Sequence, residues 1–209
     1  MKIKQPVEIE NRSFEIIKSE VNKEKFDNIP DELKSVIVRI IHSTADFDFL
    51  DIVKFSDNFY HSATNALKKG CNILTDIKMV KYGISSRLTG KFGNKTETFI
   101  DTEDVINLAK NENITRSIAA MRLHGKWADN GLIVIGNAPT ALFEILSLIE
   151  QGQISPAAVI GVPVGFVGAS ESKDALIKFG GIPYLTATGR KGGTPVAVAA
   201  VNALLKLIN

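Results

Sequence analysis

The chain carries a single cysteine, Cys71, so no intramolecular disulfide framework can staple it. It also has no uninterrupted run of about 18 apolar residues, because Asn137, Glu144, Asn202 and Lys206 break the longest candidates. A membrane span is therefore not expected. Charge of either sign is not in excess: 25 basic against 23 acidic residues leave a net +2, which argues against a non-specific nucleic-acid binder and allows only small basic patches. The opening Met1-Lys2-Ile3-Lys4-Gln5-Pro6 lacks the apolar core of a secretion signal, so a soluble, cytoplasmic protein is expected. Repeats, low-complexity tracts and linkers are missing too. What is present is 44% hydrophobic residues in a chain of 209, enough to bury one sizeable core, and a single domain over residues 1–209 is expected.

Ser13, Ile16, Ile17 and Val21 predict a short amphipathic helix, and Pro30-Asp31 opens a second in which Leu33, Ile37, Ile40 and Ile41 recur up to His42-Ser43-Thr44. Strand and helix then alternate. Asp51 to Phe55 and Asn72 to Asp76 read as strands; the helix after the first reaches the Lys69-Gly70 stop, and that after the second runs through Met79 to Gly83. Ser85 to Asn94 reads as a polar loop, Thr96 to Asp101 as a strand, and Thr102 and Thr115 as helix starts. Three cleaner units follow. Leu132 to Gly136 precedes a helix from Thr140 to Glu150, Ala157 to Val162 precedes one opened by Ser170 and Glu171, and Pro183 to Thr188 precedes one from Pro195 to Leu207. The alternation implies a three-layer α/β fold, a doubly wound, mostly parallel, flavodoxin-like sheet with an N-terminal helical segment.

In such a sheet ligands lie beyond the carboxyl ends of the strands. Asp76, Asn137, Ser170 and the pair Arg190 and Lys191 all fall just after a strand and should face one crevice, although each alone reads more simply as turn chemistry. The stretch from Ala157 to Lys173 is the centre of this arrangement. Its apolar run Val159, Ile160 and Val162 gives way to Gly161, Gly165 and Gly168, which let the backbone approach a ligand, and the N–H groups that open the next helix favour an anion. The glycine spacing matches no dinucleotide turn, and Gly189-Arg-Lys-Gly-Gly-Thr places lysine before its glycines, so neither NAD nor ATP is supported.

His42 ends an amphipathic helix, where the negative end of the macrodipole suits a cation, and Asp46 is close enough in sequence to orient it. It could act as a general acid or simply satisfy a hydrogen bond, the role read for His61 and His124. No third ligand joins His42 and Asp46, so a metal site is not expected, and Cys71 lacks an activating partner. Arg116 and Arg122 lie six apart on one helix and face different ways, so one of them at most points inward to grip a carboxylate.

Six stretches together resemble the precorrin-8X and cobalt-precorrin-8 methylmutase family, over the full length of the chain. They are Ile41-His-Ser-Thr-Ala-Asp-Phe-Asp-Phe49, Leu74-Thr-Asp-Ile-Lys-Met-Val80, Thr115-Arg-Ser-Ile-Ala-Ala-Met121, Ile135-Gly-Asn-Ala-Pro-Thr-Ala-Leu142, Val159 through Lys173, and Gly189-Arg-Lys-Gly-Gly193. Thr194 departs from the serine of many members but keeps the hydroxyl. The resemblance implies an enzyme of cobalamin biosynthesis that moves a methyl group from C-11 to C-12 of a tetrapyrrole, giving hydrogenobyrinic acid or its cobalt form, with no cofactor consumed. It implies His42 as general acid and later base. It further implies a pocket for a polycarboxylate macrocycle from Thr44, Asp46, Asp76, Arg116, Asn137, Thr140, Gly165, Ser170, Arg190 and Lys191, in a homodimer with substrate near the subunit interface. A tetrapyrrole carrier without turnover remains the competing expectation.

Overall fold

A computed structural model describes residues 5–209, and the reading of Met1 to Lys4 lies outside them. The chain begins with helices α1 (Pro6–Glu20), α2 (Lys23–Asp27), α3 (Asp31–Thr44) and the single turn α4 (Phe49–Ile52). Strand β1 (Val53–Phe55), α5 (Phe59–Lys68), β2 (Asn72–Thr75), α6 (Lys78–Gly83), α7 (Ser86–Phe92) and β3 (Lys95–Glu97) follow. Helices α8 (Glu103–Asn111) and α9 (Arg116–His124) then lead through a 3-10 turn (Gly125–Ala128) to β4 (Leu132–Ile135) and α10 (Pro139–Glu150). The chain closes with β5 (Ala158–Gly161), α11 (Ala169–Phe179), β6 (Tyr184–Ala187) and α12 (Thr194–Leu207).

The strands form one six-stranded sheet in the order β1-β6-β5-β4-β2-β3. β3, β2, β4, β5 and β6 are mutually parallel, with register pairs such as Leu74 opposite Ile133, Ile133 opposite Val159 and Ile160 opposite Leu185. Successive side chains alternate between two helical layers because strand residues point to opposite faces. Ile73, Leu132, Val134, Ile160 and Leu185 face the layer that contains α3, α5 and α12, while Leu74, Ile133, Ile135, Val159 and Tyr184 face that of α10 and α11. Each such aliphatic side chain contributes about 1.5–3 kcal/mol on burial, which is why these strands carry no polar alternation. On the first face the alanine-rich α12 lets α3 pack closely, and α1 lies over α3.

Four local expectations change. The segment expected as a strand over 51–55 splits into the end of α4 and β1, and β1 runs antiparallel to β6, with Val53 opposite Ala187. The reason is entry point: the chain arrives at the carboxyl end of β6, where Thr188 N–H donates to the Ile52 carbonyl at 2.8 Å, and can only run back down the edge. The expected polar loop over 85–94 is largely the helix α7, capped by Ser85 accepting from Leu88 N–H and held by buried Leu88 and Thr89. The strand expected over 96–101 is only Lys95–Glu97. Helix α11 begins at Ala169 rather than on a Ser170 cap: its N-cap is Gly168, at φ 77, and no side chain caps it.

Candidate active site

The order of the five parallel strands reverses direction between β2 and β4, so the loops leaving those two strands diverge and open a crevice at their carboxyl ends. Asp76, the first residue after β2, does not face that crevice. It is fully buried, and its two oxygens accept from the backbone N–H groups of Gly136 at 3.1 Å and of Asn137 and Ala138 at 2.8 Å each. Burial pushes its carboxyl above the ordinary carboxylate value, while the three N–H groups pull the other way. The expectation of a substrate contact at Asp76 is therefore corrected. The side chain reaches across the switch point and shapes the turn after β4, leaving Asn137 exposed on its crest and Thr140 in the first turn of α10.

Two further loops, 162–168 after β5 and 188–193 after β6, are joined to each other. Gly193 N–H donates to the Val162 carbonyl at 2.7 Å, and Gly165 N–H to the Arg190 carbonyl at 3.3 Å. Gly192, at φ 156, comes so close that a Cβ there would lie 2.4 Å from the Val162 carbonyl oxygen, so the junction needs glycine. The exposed Arg190 guanidinium lies over the Phe166 ring, 5.2 Å from its centroid, which leaves its N–H groups open to an anion. Lys191 is differently placed. Its ammonium pairs with Asp46 and Asp48 at 2.6 Å each, and these carboxylates hold the lysine above its ordinary value while Lys191 holds Asp46 below its own.

That pairing also corrects the expected partnership of Asp46 with His42. One Asp46 oxygen binds Lys191 and the other accepts from Asp48 N–H at 3.0 Å, so both are engaged without the imidazole. The Thr44 hydroxyl likewise turns back, donating to the Ile40 carbonyl at 3.0 Å and accepting from Asp46 N–H at 3.3 Å. Both residues build the turn that ends α3, where Ala45 takes a left-handed conformation at φ 52. His42 stands exposed in the last turn of α3 with its ring edge-on to Phe14, centroids 5.3 Å apart. Beside it is a cavity of about 240 Å³ lined mainly by apolar groups, among them Ile16, Ile17, Ile41 and Phe47.

Ser43 in the same turn donates to the Pro195 carbonyl at 3.4 Å, which places the end of α3 beside the start of α12 and the 188–193 loop. His42, Asp46, Gly165, Arg190 and Lys191 thus belong to one connected region. Arg116 is apart from it. Exposed in the first turn of α9, it lines a separate open cavity of about 610 Å³ with Ile106, Lys110 and Asn113. Thr115 caps that helix, and its hydroxyl lies 3.2 Å from the Thr140 hydroxyl, so the starts of α9 and α10 meet. Arg122 faces elsewhere and pairs with Glu112 and Glu144. Ser170 offers its hydroxyl to Asp174 at 3.5 Å, within its own helix.

Among the described residues, no three or more His, Cys, Asp or Glu side chains are grouped to hold a metal, and no helix is long and apolar enough to cross a membrane. Burial pushes the Cys71 thiol up to about 11, far from a reactive thiolate. His124 donates its Nε2–H to the Asp104 carboxylate at 2.8 Å and stacks on Phe99, an ordinary packed histidine. Sequence reasoning missed Phe166 beneath Arg190, Asp48 beside Lys191, and Lys173. A signal existed for Lys173: it shares the buried face of α11 with Ala169, Ser172 and Leu176, at spacings where an apolar residue belongs.

Residues 8–207 match the family model described as precorrin-8X methylmutase. The chain is 45% identical to the cobalt-precorrin-8 methylmutase of Leptospira interrogans, over 95% of this chain and 92% of that protein. It is 43% identical to that of Salmonella typhimurium, over 97% and 96%, and 39% identical to the precorrin-8X methylmutase of Pseudomonas aeruginosa, over 94% and 93%. Among solved structures, the precorrin-8X methylmutase of Thermus thermophilus superposes with a TM-score of 0.87 at 33% identity, covering 96% of this chain and 95% of that one.

Proposed function

The chain belongs to the precorrin-8X methylmutase family and is an isomerase of cobalamin biosynthesis, and from that premise we propose how its residues divide the work. The substrate is a tetrapyrrole, precorrin-8X or its cobalt form, and the methyl group moves from C-11 to C-12 within one molecule. The observation that carries the reading is His42, an imidazole at the rim of a mainly apolar cavity, on a helix whose end is tied to the 188–193 loop by Lys191 with Asp46 and Asp48. A cavity of about 240 Å³ takes only an edge of a macrocycle, and in this reading the rest extends towards the 162–168 and 188–193 loops.

His42 donates a proton to a ring nitrogen, which drains electron density from the conjugated system. The methyl then shifts with its bonding pair to the neighbouring carbon, a 1,5-sigmatropic step, and the nitrogen returns its proton to His42. Proton and methyl are both conserved, so no donor, oxidant or cofactor enters. Arg190 takes a carboxylate arm, because its guanidinium is exposed over Phe166 and has no carboxylate in ion-pair contact among the described residues, and Arg116 takes another from the start of α9, which meets the start of α10 beside Gly168 of the 162–168 loop. Asn137, Thr140, Ser170 and the Gly165 backbone add neutral donors around them, while Lys191, Asp46 and Thr44 hold the turns in place. The protein works in the cytoplasm, away from membrane and nucleic acid, as a homodimer whose second copy covers the exposed Phe166 and Val167.

The test is a label crossover. A mixture of methyl-labelled and core-labelled substrate, in excess over enzyme and without S-adenosylmethionine, is expected to give product of unchanged mass, altered absorption and no molecule carrying both labels. Double-labelled product, or dependence on an added methyl donor, contradicts the intramolecular shift. Stoichiometric binding without turnover supports instead the carrier reading.

A further inference from the structure

Lys173 has no place in the chemistry above, and its surroundings are costly. It has no accessible surface, and it shares the buried face of α11 with Leu176. Its ammonium donates to the Lys191 carbonyl at 2.7 Å, and no carboxylate among the described residues pairs with it. Burial without a counter-ion lowers its pKa to about 8, only partly opposed by Asp174. A buried charge with one neutral acceptor returns less than its desolvation takes, so a hydrocarbon of similar length would suit the fold better. What the lysine adds is directional.

Its acceptor belongs to the turn that presents Arg190 and Lys191. That turn is also tied to the 162–168 loop, by the bonds from Gly193 N–H to Val162 and from Gly165 N–H to the Arg190 carbonyl, and to the α3–β1 region, by Thr188 N–H to Ile52 and by Lys191 to Asp46 and Asp48. Lys173 supplies the tie from α11. Together they determine where the Arg190 guanidinium and the Lys191 ammonium stand, one over Phe166 and the other between Asp46 and Asp48.

We propose that Lys173 is a positioning residue for carboxylate recognition, acting through the Lys191 carbonyl to hold the 188–193 turn in the geometry that grips the substrate's acid arms. This rests on the methylmutase reading. It assigns the lysine to binding rather than to proton transfer, and it explains why a cation is kept on a face that packing alone would give to leucine or methionine.

The test compares wild type with Lys173→Met, Lys173→Gln, Arg190→Ala and the double variant Lys173→Met with Arg190→Ala, by steady-state turnover, titration with hydrogenobyrinic acid and thermal melting. Lys173→Met is expected to melt no lower than wild type while KM and product Kd rise about tenfold, the scale of one charge-assisted contact, and kcat changes less than about twofold. Lys173→Gln keeps an N–H donor, shorter by one atom, and is expected to recover part of the lost affinity. The double variant is expected to bind nearly as well as Arg190→Ala alone, since both act on one grip. Unchanged KM and Kd in Lys173→Met, or additive losses in the double variant, overturn the proposal. If Lys173→Met does not fold, Lys173→Gln decides by the same affinity comparison. Failure of the wild type to turn over would strike the methylmutase reading instead, and product titration would still judge Lys173.

Discussion

The Lys191 ammonium stands between Asp46 and Asp48, 2.6 Å from a carboxylate oxygen of each, and so joins the turn after β6 to the turn that ends the helix of His42, 145 residues earlier in the chain. These ion pairs are at the surface, where solvent screening leaves such contacts little effect on stability, so their value is in placement.

Lys191→Ala is accordingly expected to melt within a few degrees of wild type while kcat/KM falls about tenfold to a hundredfold, because small displacements of a proton donor are expensive in rate. The pH sense follows from the two shifts. Asp46 is lowered, so its contribution is lost only as pH falls through the acid range; Lys191 is raised, so its contribution is lost only as pH rises beyond the ordinary lysine value of 10.5. Near neutrality the tie does not titrate. The Lys191→Ala profile from about pH 6 to 8 should therefore keep the wild-type shape at a lower level; an unchanged kcat/KM would show that the two turns need no such link.

Asp76 carries the other long-range tie, and removing it should act on stability. Asp76→Ala leaves three backbone N–H groups of the 136–138 turn without their acceptor, and a buried donor left unpaired costs about 1–3 kcal/mol. Denaturant unfolding should show a loss of about 3 kcal/mol or more. A variant as stable as wild type would mean that the turn is held by other means.

Lys173 gives a stability signature opposite in sense to its effect on affinity. Its pKa is about 8 in the folded protein against an ordinary 10.5. Between those values the unfolded chain holds a proton that the folded one has shed, so this group makes stability rise with pH across that window. At pH 7 it is a net burden. Lys173→Met should therefore melt above wild type at pH 7, and the gap should narrow as pH approaches about 10. A gap independent of pH would show that the ammonium is not desolvated.

The layers of this fold were readable because β4, β5 and β6 are buried at every position and leave apolar runs too short for helices. The edges were harder. β1 is three residues long, and its direction depends on where α4 delivers the chain, which no local pattern records. Helix α7 buries only Leu88 and Thr89, so its polar sequence looked like a loop. At the site, the rule that ligands lie beyond strand ends pointed to the loops of Asn137, Gly165 and Arg190, which do leave the carboxyl ends of β4, β5 and β6. It failed for Asp76 because a strand-end carboxylate can equally bind backbone across the switch point. Asp46 and Lys191 each looked available singly; that they engage each other is a property of tertiary structure, invisible at that sequence separation.

His42 is the residue on which the chemistry turns, and replacing it by alanine tests the claim most directly. His42→Ala loses an exposed side chain at the end of α3 and should fold normally and bind hydrogenobyrinic acid with near wild-type affinity. Single-turnover conversion, followed by the change in absorption under saturating enzyme, is expected to slow by about 10² to 10⁴, the usual contribution of a general acid. Conversion at close to the wild-type rate, with binding intact, would contradict proton transfer by His42 and the mechanism built on it.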